Sequence, residues 1–253
     1  MDYRTYSDRL ISLFERQMND LPLPWTVSDR LLRKVTADGE MMPFYGATTV
    51  IMLSDKDRNS CLDVRDHLFG KHGDRFVALA PHTYHLTIHA LSNAYNVDGD
   101  DGMIRHSIER TEPQVKTEFQ RIAAQFGDRS IRMRALGVST GGKDIIGLKF
   151  VPEAKEDCEL LIDLFDRLEA VYPLGESFVP HVSLGYHRVG PHSPEEVIAL
   201  YDTLRRINRE LEMTIELDVC ELVYQHHYHM NDFRDVFAVK DFAALPEREA
   251  NGG

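Results

Sequence analysis

The chain lacks most of the features that assign a protein to a class at first sight. Its 253 residues hold only three cysteines, Cys61, Cys158 and Cys220, far apart and without a CxxC pair. That argues against a disulfide framework and a thiolate zinc site, and leads us to expect a reducing, cytoplasmic setting. No apolar run approaches the roughly eighteen residues of a membrane span. The stretch from Met1 is charged and amphipathic, unlike a secretory signal. Positive charge is scarce: 29 Lys+Arg stand against 41 Asp+Glu, for a net charge of −12. Proteins that wrap long nucleic acid carry a basic face that releases counterions, so that class is set aside. A small anion held in a local pocket is still allowed. The residue in excess is histidine, with 12 copies.

Periodicity and turn chemistry divide the chain into alternating elements. Tyr6, Leu10, Leu13, Phe14 and Met18 recur at helical spacing and predict a helix over residues 3–18. Pro22 and Pro24 end it. A β-branched run predicts a strand at 47–53, and Ser54 or Asp55 caps a helix running to about residue 69. Residues 76–80 read as a short strand or connection, 83–91 as a strand and 105–126 as a helix. Further strands are expected at 131–138, 145–151, 179–186, 214–224 and 235–239. Helices are expected at 153–171 and from Ser193-Pro194-Glu195-Glu196 to about 211. The acidic segment 98–102 lacks the alternating ligands and distal glutamate of a calcium loop, and reads as a plain loop. Gly141-Gly142-Lys143 lacks the rest of a phosphate-binding loop and precedes a strand, so residues 139–144 read as a hairpin turn.

One pattern occurs twice. A strand, a helix and a second strand end in His85-Leu86-Thr87-Ile88, and the same order ends in His181-Val182-Ser183-Leu184. Each unit spans roughly 35 residues from its first strand to its histidine. Both phrases read histidine, apolar, hydroxyl, apolar. Side chains alternate along a strand, so His85 and Thr87 share one face, as do His181 and Ser183. Each strand is expected to bury its apolar face against its own helix and offer an imidazole and a hydroxyl on the other. Two imidazoles titrating near neutrality can act together as general base and general acid. Two hydroxyls can donate to the oxygens of a bound phosphate. This pseudo-symmetric set suits an in-line phosphoryl displacement, which requires no metal or other cofactor.

The paired phrases resemble the two-histidine (2H) phosphoesterase superfamily, which includes 2′,3′-cyclic nucleotide phosphodiesterases and the so-called 2′-5′ RNA ligases. The resemblance covers roughly residues 42–240. Met42-Pro43-Phe44-Tyr45-Gly46-Ala47-Thr48 and Pro81-His82-Thr83-Tyr84-His85-Leu86-Thr87 look like a bacterial and fungal branch with no assigned physiological role. The first segment there usually reads Pro-Phe-x-Gly-Asn-Thr, so Ala47 departs from it. The resemblance implies an α+β, bilobal, pseudo-two-fold (LigT-like) fold, with two antiparallel sheets flanking a central cleft and helices outside. It carries over His85, Thr87, His181 and Ser183 as catalytic residues. The implied organisation is a helix and connector over 1–40, one bilobal catalytic domain over 41–245, and a flexible tail over 246–253. Whether the last strands return to complete the first lobe is left open.

The expected activity is metal-independent hydrolysis of a 2′,3′-cyclic phosphate or a related small nucleotide phosphodiester. The expected pH profile is a bell with limbs on either side of neutrality. The alternatives are a cyclic-nucleotide or RNA-end binding module without turnover, and a 2′-5′ RNA ligase-like activity. The expected partner is a small nucleotide or RNA end, with no membrane, and the expected state is a monomer. Tyr45 and Arg134 are further substrate-binding candidates, for base stacking and phosphate clamping. His89 and His187 read as solvated strand ends, with the edge of the cleft as the alternative. His226-His227-Tyr228-His229 invites a metal reading, but adjacent strand residues rarely aim at one centre.

Overall fold

The computed structural model describes residues 2–175 and 177–243. The expected tail at 246–253 lies outside the described residues. Helix α1 (Tyr3–Asn19) starts at Asp2, whose carboxylate accepts the Thr5 amide. A short helix α2 (Asp29–Leu32) follows the prolines. Then come β1 (Gly46–Met52), α3 (Asp55–His72), β2 (Phe76–Ala78) and β3 (His85–His89). The acidic segment after β3 ends by capping a helix: Asp100 accepts the Gly102 and Met103 amides at the start of α4 (Asp101–Phe126). Strand β4 (Ser130–Ser139), the short helix α5 (Gly141–Asp144) and β5 (Ile145–Pro152) come next, so the expected hairpin turn holds one helical turn. They are followed by α6 (Lys155–Val171), β6 (His181–His187), α7 (Pro194–Glu210), β7 (Thr214–Asp218), β8 (Leu222–His229) and β9 (Asp232–Ala238). Ser193 and Glu196 form the expected capping box of α7.

The strands make two antiparallel sheets, ordered β3-β1-β8-β9 and β2-β6-β5-β4-β7. The expected single strand over 214–224 is two strands in different sheets. A 3-10 turn at Val219–Glu221 separates them, and β8 and β9 complete the first sheet. The helix assignment also differs from expectation. Helix α3, joining β1 to β3, packs on β6 and α7, where His72 Nε2 lies 2.9 Å from the Thr203 hydroxyl. Helix α4 packs behind β1. Helix α6 buries Leu161, Leu164 and Leu168 completely while contacting β4 and β5. Each such side chain contributes about 1.5–3 kcal/mol on burial, which ties the second sheet to its helix. Among the described residues no helix is long and apolar enough to cross a membrane.

Candidate active site

The two repeats meet where β3 and β6 face each other across a cleft of about 710 Å³. In both strands the expected alternation holds over the motif. His85 and Thr87 are half-buried while Leu86 and Ile88 are fully buried, and His181 and Ser183 match them against Val182 and Leu184. All four motif side chains line the cleft.

The duplication extends to backbone irregularities. In the first sheet Val50 pairs with Thr87 and Thr49 with His89, leaving Ile88 as an extra residue. In the second, Gly147 pairs with Ser183 and Ile146 with Gly185, leaving Leu184 extra. Each strand thus bulges immediately after its hydroxyl residue, and a bulge re-aims the side chains beyond it. The carbonyl of His89 beyond the first bulge accepts from the Thr48 and Thr49 hydroxyls, at 3.1 and 3.3 Å. Gly147 permits the second: a Cβ there would sit 2.5 Å from the Val182 carbonyl oxygen and 3.2 Å from the Ser183 Cα.

These bulges overturn the reading of His89 and His187 as solvated ends. His89 is buried, and its Nε2 lies 2.8 Å from a Glu169 carboxylate oxygen on α6. Glu169 also accepts the Leu174 and Gly175 amides, so it pins the loop leading to β6. His187 is fully buried, with its ring 4.8 Å from Trp25 and 5.1 Å from Phe76.

The tautomers of the motif histidines follow from their neighbours. His181 Nδ1 lies 2.9 Å from the carbonyl oxygen of Val179, two residues earlier. A carbonyl can only accept, so Nδ1 carries the proton and Nε2 is left with a lone pair. The His85 ring hydrogen-bonds to the backbone of Thr83, again two residues earlier. Phe233 packs edge-on against the His85 ring at 5.2 Å. Burial pushes His85 down to about 4, against that hydrogen bond. His181 is pushed to about 3, first by burial and then by the charge of Lys149. Both imidazoles are therefore neutral at pH 7 in the free protein.

Sequence reasoning missed the lysine. Lys149 is opposite His181 in the β5–β6 register, the place that Met52 holds opposite His85. It is buried, lines the cleft and is brought down to about 8, mainly by burial. A lysine inside the apolar run Gly147-Leu148-Lys149-Phe150-Val151 was the available signal. The register thus breaks the pseudo-symmetry and gives one histidine a cationic neighbour. A third imidazole, His227 on β8, also lines the cleft and is pushed down to about 4 by burial. Its Nδ1 is 2.7 Å from the Phe44 carbonyl oxygen. Gly46 makes room for it, since a Cβ there would sit 2.7 Å from its Nε2. His226 faces the other way, with its Nε2 3.2 Å from Glu112 on α4. The adjacent histidines thus diverge rather than converge on one centre. Among the described residues no group of three His, Cys, Asp or Glu side chains is placed to hold a metal ion.

The two weaker candidates are not in the cleft. Tyr45 is buried beside Tyr228, under the Arg105 guanidinium, while its neighbour Phe44 lines the cleft. The two are consecutive residues just before β1, and their rings go different ways: Phe44 stacks on His227 and Tyr45 packs on Tyr228. Arg134 is exposed on β4, two strands from β6, and does not line the cleft. Conversely, the segment 1–40 is part of the site, because Leu13, Gln17, Ser28, Arg30 and Lys34 line the cleft.

No protein-family model and no curated protein matches the sequence. Solved structures do match by shape. A conserved protein of unknown function, ATU0111 from Agrobacterium tumefaciens, superposes with a TM-score of 0.66 at 14% identity, over 87% of this chain and 99% of that one. TT0787 of Thermus thermophilus gives 0.48 at 14% identity, over 79% and 98%. Apo LigT of E. coli gives 0.42 at 12% identity, over 76% and 93%. The chain thus shares the fold of the Agrobacterium protein, and on that fold it carries the paired motifs by which it resembles the two-histidine phosphoesterases.

Proposed function

We propose that the protein is a phosphodiesterase that opens a 2′,3′-cyclic phosphate, or a related small nucleotide phosphodiester, using His85 and His181 as its proton-transfer pair. The observation that carries this is the duplicated arrangement. Two imidazoles, each held by a backbone group two residues earlier, line one cleft with two hydroxyls.

Lys149 assigns the roles. Its ammonium disfavours a proton on His181, so His181 is the base and His85 the acid. The bound phosphodiester anion raises His85 above its depressed value and lets it enter the reaction protonated. A water oxygen attacks phosphorus opposite the leaving ribose oxygen, and His181 Nε2 takes the water proton. The bond from phosphorus to the ribose oxygen breaks, and His85 gives its Nε2 proton to that oxygen. One proton is taken and one supplied, leaving a ribose phosphomonoester. Thr87 and Ser183 donate to the non-bridging oxygens, and Lys149 balances their charge. Both proton transfers are made by imidazole, so no step calls on a metal. With a net charge of −12 confining recognition to the cleft, the substrate is small or a chain end.

The test is product analysis on a panel of 2′,3′-cyclic nucleotides, run beside thermal melts with the same ligands. A phosphomonoester product supports the proposal. Stabilisation without product would favour a binding module instead.

A further inference from the structure

The cleft holds a second ammonium. Lys34 comes from the connector that precedes β1, and its backbone is fixed there by a hydrogen bond from the Met42 amide to its carbonyl at 2.9 Å. Its Nζ stands 5.3, 5.2 and 5.1 Å from the ring centroids of Phe44, Tyr95 and Tyr186. It donates one hydrogen bond, 3.3 Å long, to the Tyr186 hydroxyl. An ammonium has three donors, so two find no acceptor among the described residues. Asp144 is the acidic group whose field reaches Lys34, yet the two form no ion pair within 4.0 Å. Burial brings Lys34 down to about 8, so it is mostly charged at neutral pH.

The cage defines the chemistry. Three aromatic rings surround a cation, so they are engaged by the ammonium rather than offered to a nucleobase. What the group lacks is an anion in direct contact, since Asp144 lines the same cleft without pairing with it. That anion is set apart from the phosphate at the histidines by position: Lys149 stands opposite His181 in the β5–β6 register, whereas Lys34 is held at Tyr186, five residues further along β6. We propose that Lys34 and its aromatic cage form a second anion subsite, so that the preferred substrate is a cyclic phosphodiester carrying a separate phosphoryl group. This rests on the phosphodiesterase reading of the histidine site.

The experiment compares kcat/KM for adenosine 2′,3′-cyclic phosphate, its 5′-phosphorylated form, and a dinucleotide ending in the same cyclic phosphate. The last two supply the extra group from a mononucleotide and from an RNA end. The wild type is expected to favour at least one of them over the plain substrate by about tenfold. Lys34→Met brings that ratio to near one, Lys34→Arg restores it, and Lys149→Met retains it while slowing all three. A ratio near one in the wild type, or one that Lys34→Met leaves unchanged, overturns the subsite. Thermal melts check that each variant is folded. If the wild type turns over none of the three, calorimetry decides the subsite separately with adenosine 3′-monophosphate and adenosine 3′,5′-bisphosphate. Tighter binding of the bisphosphate that Lys34→Met abolishes upholds the subsite while the phosphodiesterase reading falls. Equal binding of the two overturns it.

Discussion

Lys149 is the cation beside His181 in the proposed phosphate site, and its depressed pKa makes that role measurable. Sulfate is the suitable probe, because it remains a dianion across the neutral and alkaline range. His85 and His181 sit near 4 and 3 and are neutral from pH 7 to 9 in the free protein; a proton that His85 takes up with the anion, and the titration of Lys34, are common to the wild type and Lys149→Met, so the difference between the two isolates Lys149. With a pKa of about 8, Lys149 passes from mostly charged to mostly neutral over that interval. The charged fraction falls about tenfold, which corresponds to roughly 1.4 kcal/mol of binding free energy. Calorimetric titration at constant ionic strength should therefore show sulfate binding weaken by at least about tenfold between pH 7 and 9, with about tenfold of it due to Lys149. In Lys149→Met the affinity at pH 7 falls and the dependence on pH through Lys149 disappears. Affinity that is flat with pH in the wild type, or unaffected by the substitution, would refute the placement of this ammonium at the anion.

The low imidazole values also predict the kinetics. One histidine must be protonated in the free enzyme for kcat/KM, so activity should rise as pH falls from 7 toward 5, rather than peak at neutrality. A maximum at or above pH 7 contradicts this. His187 tests burial on its own: its ring nitrogens have no hydrogen-bond partner among the described residues, and burial pushes it down to about 3, against an ordinary value of 6.5. Below pH 6.5 the unfolded chain binds the extra proton, so unfolding free energy drops by about 1.4 kcal/mol per pH unit through this group. Between pH 7.5 and 5 that is about 2 kcal/mol, and urea unfolding of His187→Leu should show this much less loss. Equal losses in the two proteins would sink the argument. Ser183→Ala and Thr87→Val should each lower kcat roughly a hundredfold in steady-state assays. Arg134→Ala, on the exposed strand outside the cleft, should leave kcat/KM within about twofold, well short of a lost charge-assisted contact; a larger drop would return Arg134 to the site.

The four motif residues are legible because strand period and duplication are local properties of the sequence. The failures have equally local causes. The first bulge is marked by no glycine or proline, and Ile88 looks like an ordinary apolar position; the second is marked only by the strand glycines Gly147 and Gly185 on either side of it. Simple alternation therefore stops short of His89 and His187, where it places two buried rings in solvent. Of the adjacent rings Phe44 and Tyr45, only Phe44 lines the cleft, and two consecutive aromatic residues before a strand do not announce which of them turns inward. The division of residues 214–224 between two sheets has no glycine or proline to announce it. Lys34 is invisible from its neighbours in sequence. Its cage is built from three separate segments, contributed by Phe44, Tyr95 and Tyr186, and only the folded chain brings them together.

The most direct test is a single reaction in ¹⁸O-labelled water with a 2′,3′-cyclic nucleotide, followed by ³¹P NMR in the wild type, His85→Gln and His181→Gln. The account predicts that the wild type places one label on the product phosphomonoester. Each variant should be slowed by roughly a hundredfold to ten-thousandfold. Unlabelled product, or turnover retained in both variants, would contradict it.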